Sequence, residues 1–274
     1  IFDLRKYLDF DCYVLSGPIL CDGFLNKYEK FIKKIYSEKK SYIILSAYGH
    51  DDFRIKKFFE QYPPYAISTR CEKTFQIYKN YSINSYNGIC NAFFTPYYVD
   101  PPRFNYENYI IKSFYSMPEP DVYFQVKDNQ INLDKLILKY KKKFFWKIFR
   151  HLNFLNNVND NIDNYKIIRP QHDISVKYNH INFIKMNSYM SYNINNYFTL
   201  YKNADLVISD RVHAIVIGLA FGVTSILCGD FDRSSLFDRI PLKKINNCLI
   251  PPNNDFFEKE LNSYKIWLNK IFDK

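Results

Sequence analysis

A segment near residue 210 combines residue types suited to binding an anion and moving a proton. The run Asp205–Ser209 predicts a strand, and the apolar residues that follow predict a helix. Ser209 or Asp210 is suited to cap that helix. Arg211 and His213 would lie in its first turn, beside backbone N–H groups and the positive end of the helix dipole. This turn could hold a phosphate or a carboxylate through the N–H groups and the Arg fork together.

The spacing of Arg211 and His213 leaves a second interpretation open. Two residues apart on a helix, their side chains point about 200° away from each other. Both reach one site only where the turn is irregular. The alternative is an ordinary capped helix with a surface Arg and a core His, and the residues alone favour it slightly.

Strands and helices alternate along the first part of the chain, which predicts a parallel sheet covered by helices. The predicted strands are Asp11–Leu15, Tyr42–Ser46, Tyr65–Ser68 and Gly88–Phe94, and the predicted helices are Tyr28–Ser37, Asp51–Glu60 and Cys71–Lys79. The stretch Thr95–Pro120 then carries five prolines among many Tyr and Asn residues. It predicts a connection between two domains, 1–118 and 119–274.

The alternation resumes after residue 120. The predicted strands are Val122–Val126, Tyr165–Arg169, Ile181–Met186, Asp205–Ser209 and Thr224–Cys228, and the predicted helices are Leu133–Phe149, Ile194–Lys202, Val212–Phe221 and Phe256–Phe272. We therefore expect an α/β fold of two Rossmann-like parallel-sheet domains facing a cleft. Ligands of open α/β sheets bind beyond the carboxyl ends of the strands, where Arg211 would lie.

Composition excludes several classes of protein. A chain of 274 residues with 47% hydrophobic content is not globally disordered. The net charge of +10 comes from scattered lysines, with only nine arginines, so no specific nucleic-acid partner is predicted. The six cysteines lack C-x-x-C and zinc spacings, which predicts reduced thiols, no metal and a cytoplasmic location. The longest uncharged stretch, Ala214–Gly229, has 16 residues, fewer than the ~20 of a membrane-spanning helix.

The segment Ala204–Leu227 resembles the signature of the polysaccharide pyruvyl transferase family. Members show a strand, then Ser-x-Arg-Leu-His-Ala, an apolar helix and Gly-Val-Pro before the next strand. Here Val212 replaces the usual Leu, and Thr224 replaces the usual Pro. More loosely, Ser68–Glu72 resembles the family's Ser-x-Arg-Asp-Glu turn, and Gly88–Phe93 its Asp-Pro-Ala-Phe strand end.

The resemblance implies two domains similar to the GT-B glycosyltransferases. It implies transfer of a pyruvyl group from phosphoenolpyruvate, the donor, to two hydroxyls of a cell-surface glycan or its precursor, which forms a cyclic ketal without a further cofactor. A lipid-linked sugar acceptor would bring the enzyme to the inner face of the membrane. Members usually carry another strand before the one represented by Asp11–Leu15, so a truncated N-terminal domain is also expected.

The same resemblance implies roles for individual residues. Arg211 and Ser209 would bind the donor, since an Arg fork matches phosphate and carboxylate. His213 would be the catalytic acid–base, because the enol carbon must be protonated and His titrates near neutral pH. Arg70 is a further donor-binding candidate, and an ion pair with Glu72 explains it equally well.

Two candidates follow later strands. His172 resembles a loop histidine found in several members and is a catalytic candidate. Arg233 lies near where members often carry a Lys after the last strand and is a donor-binding candidate. A polar loop residue and a helix cap explain these two as well. Two other functions stay open: a GT-B-type glycosyltransferase that uses a nucleotide sugar, and a degenerate, non-catalytic member of the family.

Overall fold

The computed structural model describes residues 10–104, 108–114, 117, 119–127, 130–139, 161–162, 164–171, 187–229, 232–241 and 245–272, without the side chains of 232 and 233. The chain forms two compact units. The first comprises Ile1–Asn91, Ser235–Pro241 and Asp255–Lys274, and the second comprises Ala92–Ser234 and Leu242–Asn254. In this division Ala92–Pro118 groups with the second unit and the last helix with the first, whereas the expected division lay at residue 118.

The helices and strands are as follows. The strands are β1 (Cys12–Ser16), β2 (Ser41–Ala47), β3 (Ala66–Thr69), β4 (Asn84–Asn87), β5 (Tyr109–Ser113), β6 (Asp121–Lys127), β7 (Gln130–Lys139), β8 (Asn161–Ile162), β9 (Tyr165–Pro170), β10 (Ser188–Tyr189), β11 (Leu206–Ser209), β12 (Ser225–Leu227) and β13 (Leu249–Ile250). The α-helices are α1 (Phe24–Ser37), α2 (Phe53–Gln61), α3 (Glu72–Tyr78), α4 (Ile194–Lys202), α5 (Val212–Ala220) and α6 (Asn254–Phe272).

The first unit is built on a parallel sheet in the order β1-β2-β3-β4. One face of this sheet forms a core with α1 and α2, in which Ile44 and Ile67 are fully buried. On the other face, Ile43 and Ala66 pack against Ile271 of α6. Burial of strands on both faces explains why β2 is an almost continuous apolar run.

Helix α6 is also tied to the first unit by an ion pair. The Arg239 guanidinium donates to both carboxylate oxygens of Glu260, at 2.6 and 2.8 Å, and to the Asn87 carbonyl. The rings of Tyr86 and Tyr264 both lie within 5.6 Å of the Trp267 ring. The two segments that return to the first unit are thus joined to each other and to β4.

The second unit contains a sheet in the order β10-β9-β5-β11-β12-β13. The pairings from β10 to β12 are parallel, and β13 is antiparallel to β12. These parallel sheets confirm the predicted α/β class. All five residues of β5 are buried at the centre of the sheet, so the prediction of a mere connection over Thr95–Pro120 was wrong there.

The predicted helix Leu133–Phe149 is also wrong over its described part. Residues of β7 pair with β6 in an antiparallel hairpin whose register shifts between Tyr123 and Gln125. The shift places Leu133 and Leu136, three apart, on the same apolar side, and three-residue spacing imitates a helix. The hairpin packs its apolar side on the sheet, where Val122 and Phe124 are buried.

The fourth strand of the first unit begins earlier than predicted. Strand β4 is Asn84–Asn87, and the predicted strand Gly88–Phe94 is instead a turn followed by a 3₁₀ helix, Asn91–Tyr97. An edge strand needs little apolar surface, so its polar sequence gave no signal. The other predicted helices and strands in the described ranges agree with the structure to within a few residues, whereas the two-residue strands β8, β10 and β13 were not predicted. The predicted strand Ile181–Met186 lies outside the described residues.

Within the described ranges, the helices are too short or too polar to cross a bilayer.

Candidate functional site

The turn between β11 and α5 holds three of the predicted site residues. Helix α5 begins at Val212, and Arg211 is its N-cap residue, with extended backbone angles of φ −99° and ψ 112°. The Ser209 hydroxyl accepts a hydrogen bond from the Arg211 N–H at 2.8 Å. Arg211 therefore lies outside the helix, and the 200° separation expected from a helical wheel does not apply to Arg211 and His213.

Strand β5 and the loop that follows it make hydrogen bonds to this turn. The Ser209 hydroxyl donates to the Ser113 carbonyl. The Asp210 carboxylate, which is buried, accepts from the Met117 N–H at 2.9 Å. Because β5 and β11 are parallel, with Ser113 opposite Ser209, both loops leave the carboxyl edge of the sheet together. This is the edge at which open α/β sheets bind ligands.

Tyr201 of α4 adds a buried hydroxyl within electrostatic range of Arg211. Its side chain hydrogen-bonds to that of Ser113. Burial raises the pKa of Tyr201, while the Ser113 hydrogen bond and the positive charge of Arg211 act in the opposite direction. The phenol therefore stays protonated near the Arg211 charge and can act as a hydrogen-bond donor.

His213 is exposed, and Arg211 is half-buried, in contrast to the rest of α5, which is almost entirely buried. Helix α5 lies close to the sheet because Gly218 allows it: a Cβ there would come within 2.9 Å of Val207 and 2.7 Å of the Ser225 hydroxyl. A buried helix with an exposed His in its first turn presents that imidazole to solvent at the carboxyl edge. The interpretation of His213 as a core residue is therefore wrong.

A buried charge cluster, Lys112–Glu119–Arg169, lies beneath the same edge. Arg169 donates to both Glu119 carboxylate oxygens at 2.9 Å, and the Lys112 ammonium lies 3.3 Å from one of them. Lys112 and Arg169 are 5% and 2% exposed. Burial lowers the pKa of Lys112, and the Glu119 carboxylate opposes that shift. The negative charge of Asp121 acts on Lys112 in the same direction as that of Glu119.

Arg70 belongs to the first unit, just after β3. It is buried, and its guanidinium carbon lies 5.4 Å from the centre of the Tyr48 ring, at cation–π distance. Among the described residues, Glu72 hydrogen-bonds to Gln76 and Asn87, so the expected Arg70–Glu72 ion pair is not what holds Arg70. Its role toward a donor remains a prediction.

His172 and the side chain of Arg233 lie outside the described residues, and their roles also stay predictions. Sequence reasoning missed Ser113, Tyr201 and the charge cluster. A signal was present for the cluster: Lys112 and Arg169 are charges within apolar strands, which require a buried partner. In the described ranges, no three His, Cys, Asp or Glu side chains are grouped to hold a metal ion.

Comparisons with known proteins bear on the family and the fold of the chain. The family model for polysaccharide pyruvyl transferase matches residues 22–230. A search of curated proteins gives no significant match. Among solved structures, the chain is similar to a "putative UDP-N-acetylglucosamine 2-epimerase from Listeria monocytogenes", with 8% identity, a TM-score of 0.51, and coverage of 97% of this chain and 68% of that one. An MnaA–UDP complex from S. aureus gives 10% identity, a TM-score of 0.48, and coverage of 98% and 70%.

At such low identity the likeness to the Listeria monocytogenes structure concerns the fold alone: an α/β architecture with two Rossmann-like units. The family match covers most of the chain, including the turn that holds Arg211 and His213. The chain belongs to the polysaccharide pyruvyl transferase family, and hence to a family of transferases.

Proposed function

We propose that this protein transfers a pyruvyl group from phosphoenolpyruvate to two sugar hydroxyls of a cell-surface polysaccharide or its precursor, forming a ketal. The observation that carries the proposal is the β11–α5 turn. There Arg211 lies at the amino end of a buried helix, at the carboxyl edge of the sheet, two residues before an exposed His213. An anionic donor and a proton-transfer group can meet at such a turn.

Arg211 binds the donor anion in this proposal. Phosphoenolpyruvate carries a phosphate and a carboxylate, and the planar fork of Arg donates two parallel hydrogen bonds to either group. The Ser209 hydroxyl fixes the Arg211 backbone, and the Tyr201 hydroxyl, bonded to Ser113, lies within electrostatic range of the Arg211 charge.

His213 moves the protons. The methylene carbon of the enol gains a proton, and one sugar hydroxyl attacks the adjacent carbon. The bond from that carbon to the phosphate oxygen then breaks, and the second hydroxyl closes the ketal. Of the two hydroxyl protons, one balances the proton gained by the methylene carbon, and the other leaves with inorganic phosphate. His213 is suited to deliver and accept these protons because it is exposed to solvent and acceptor.

Phosphate release tests the proposal. The protein, incubated with phosphoenolpyruvate and a panel of sugar acceptors, should release inorganic phosphate only when an acceptor with two neighbouring hydroxyls is present. Thermal shift adds a binding readout, since only a true ligand stabilises by mass action. Stabilisation by UDP or CMP sugars without phosphate release would contradict the proposal and favour a glycosyltransferase. No response to either ligand class would favour a non-catalytic member.

The acceptor also bears on location. We propose a cytoplasmic enzyme that meets a lipid-linked sugar at the inner face of the membrane, because the precursors of cell-surface polymers are commonly carried on lipids. Fractionation of cells with and without the lipid-linked precursor would test this. Membrane association that does not depend on the precursor would contradict it.

A further inference from the structure

A cavity of about 570 Å³ opens in the first unit, at the end of the sheet opposite to the one where α/β proteins bind substrates. Ser41 is the first residue of β2, Tyr65 immediately precedes β3, and Ile83 immediately precedes β4, and all three line the cavity. These positions are the amino ends of three parallel strands. The volume lies within the range of small-molecule sites, and the catalytic proposal does not use it.

The cavity presents aromatic rings more than hydroxyls. Tyr36, Tyr65 and Tyr81 line it with partly exposed rings, while Tyr42, also in the lining, is fully buried. The Tyr42 hydroxyl donates to the Tyr62 carbonyl at 2.6 Å, and the Tyr36 hydroxyl donates to the Pro63 carbonyl. These two hydroxyls are used within the wall. What remains for a ligand is largely apolar ring surface, which suits the C–H faces of a sugar.

The charge of the lining is positive. Lys39 and Lys40 line the cavity, and no Asp or Glu does. Lys40 lies 3.3 Å from the Glu38 carboxylate, whereas Lys39 makes no ion pair within the described part of the chain. The Lys39 backbone is left-handed (φ 55°) and is fixed by a hydrogen bond of its N–H to the Tyr36 carbonyl at 3.0 Å. Lys39 is exposed, and its backbone is held at the rim of the cavity, from which its flexible side chain can bring the ammonium to a ligand.

We propose that this cavity binds an acidic sugar, and that its occupant is the carboxylate-bearing ketal sugar of the product chain. This rests on the proposed function, because that reaction creates the carboxylate. The ketal sugar combines the two features that the lining selects: a ring with apolar faces and an anion attached to it. A second site, for the finished segment, would keep the polymer on the enzyme between transfers.

Three chemically made probes test the ligand class without any turnover: the 4,6-pyruvate ketal of methyl glucoside, methyl glucoside itself, and glucose 6-phosphate. Their affinities are measured by saturation-transfer NMR titration. The ketal should bind at least ~10-fold more tightly than the neutral glycoside, the ratio expected for one charged hydrogen bond. Tighter binding of glucose 6-phosphate than of the ketal would overturn the product assignment, because a sugar phosphate would then be the preferred occupant.

Variants place the binding at the cavity. Lys39→Asn removes the charge and keeps a residue type that accepts left-handed backbone, so it should fold and bind the ketal ~10-fold more weakly. Lys30→Asn, an exposed lysine of α1 that does not line the cavity, is the matched control and should bind as the wild type. Tyr65→Ala should also weaken binding, and Tyr65→Phe should retain it.

Equal ketal affinity in Lys39→Asn and the wild type would overturn the proposal, as would the absence of ketal binding in both. Phosphate release from phosphoenolpyruvate is measured in parallel and should be unchanged in Lys39→Asn with a monosaccharide acceptor. Ketal binding without phosphate release in the wild type would refute the proposed function and the product assignment, and support an acidic-sugar cavity. Phosphate release without ketal binding would refute the cavity alone.

Discussion

At the N-cap of α5, the side chain and the backbone of Arg211 have separable tasks. The backbone N–H bonds to the Ser209 hydroxyl, and this bond survives substitution. Arg211→Lys keeps the charge and loses the bidentate fork, so affinity for phosphoenolpyruvate should fall by roughly 1.5–3 kcal/mol. Calorimetric titration measures it, with Arg103→Lys, an exposed arginine of the same unit, as the control. A folded Arg211→Lys protein with wild-type donor affinity would rule Arg211 out of the site.

The exposure of His213 makes it testable without damage to the core. His213→Gln keeps the size of the side chain and cannot shuttle a proton. Turnover should fall by ~10²–10⁴-fold while donor affinity changes little. His50→Gln alters another exposed His at a strand end and should leave turnover unchanged. The catalytic assignment fails if His213→Gln turns over normally, or if it unfolds the protein.

The elements around the site depend on the Lys112–Glu119–Arg169 cluster, which fixes the loop between β5 and β6. Glu119→Gln leaves two buried cations without their carboxylate, and it should lower the free energy of unfolding by about 3–5 kcal/mol. Lys112→Met leaves the paired Arg169 and Glu119 in place, so it should be neutral or stabilising. Hydrogen exchange of the β5 amides reports the stability of this unit. A larger loss from Lys112→Met than from Glu119→Gln would contradict this account.

The lowered pKa of Lys112 gives the same cluster a pH signature. The unfolded chain binds its proton up to the ordinary Lys pKa of 10.5, and the folded chain loses it at lower pH. Between the two pKa values the unfolded state therefore holds more protons, and the stability of the folded state rises with pH. The wild type should gain stability relative to Lys112→Met as the pH approaches 10.5. A flat difference between the two proteins over that range would contradict the shift.

Apolar spacing predicted the elements in which that spacing is regular and uninterrupted. Strands β2 and β11 and helices α1 and α4 were found within a few residues, because their apolar spacing has a single interpretation. Strand β5 was missed because Lys112 interrupts a short run among prolines. The β6–β7 hairpin was mistaken because its register shift changes the two-residue alternation into three-residue spacing.

The candidate site was predictable in part for a similar reason. The sequence places Ser209, Arg211 and His213 at one turn because they lie close together along the chain. The turn also interacts with Ser113, Met117 and Tyr201, and each of these interactions joins residues more than eight positions apart in the sequence. Such contacts follow from the strand order β9-β5-β11, which spacing along the chain does not reveal.

At the scale of the whole molecule, the last helix of the chain, α6, packs in the first unit. The end of this helix therefore belongs to a core that is otherwise formed by the earliest strands. Ile271 is 5% exposed and packs on Ile43 and Ala66. Ile271→Ala should lower the stability of the first unit by about 2–3 kcal/mol, measured by hydrogen exchange of the β2 amides. Ile266→Ala, on the same helix and 71% exposed, should change stability by less than about 0.5 kcal/mol. Equal effects of the two variants would refute the packing role of α6.

The path of α6 also sets an order of events on the ribosome. Strands β2 and β3 emerge early, but the helix that covers Ile43 and Ala66 is translated only after all residues of the second unit. At about 5–20 residues per second, that delay is on the order of ten seconds. Throughout it, one apolar face of the nascent sheet stays uncovered. The second unit can complete its sheet first, and the nascent first unit is the part of the chain that needs chaperone protection during synthesis.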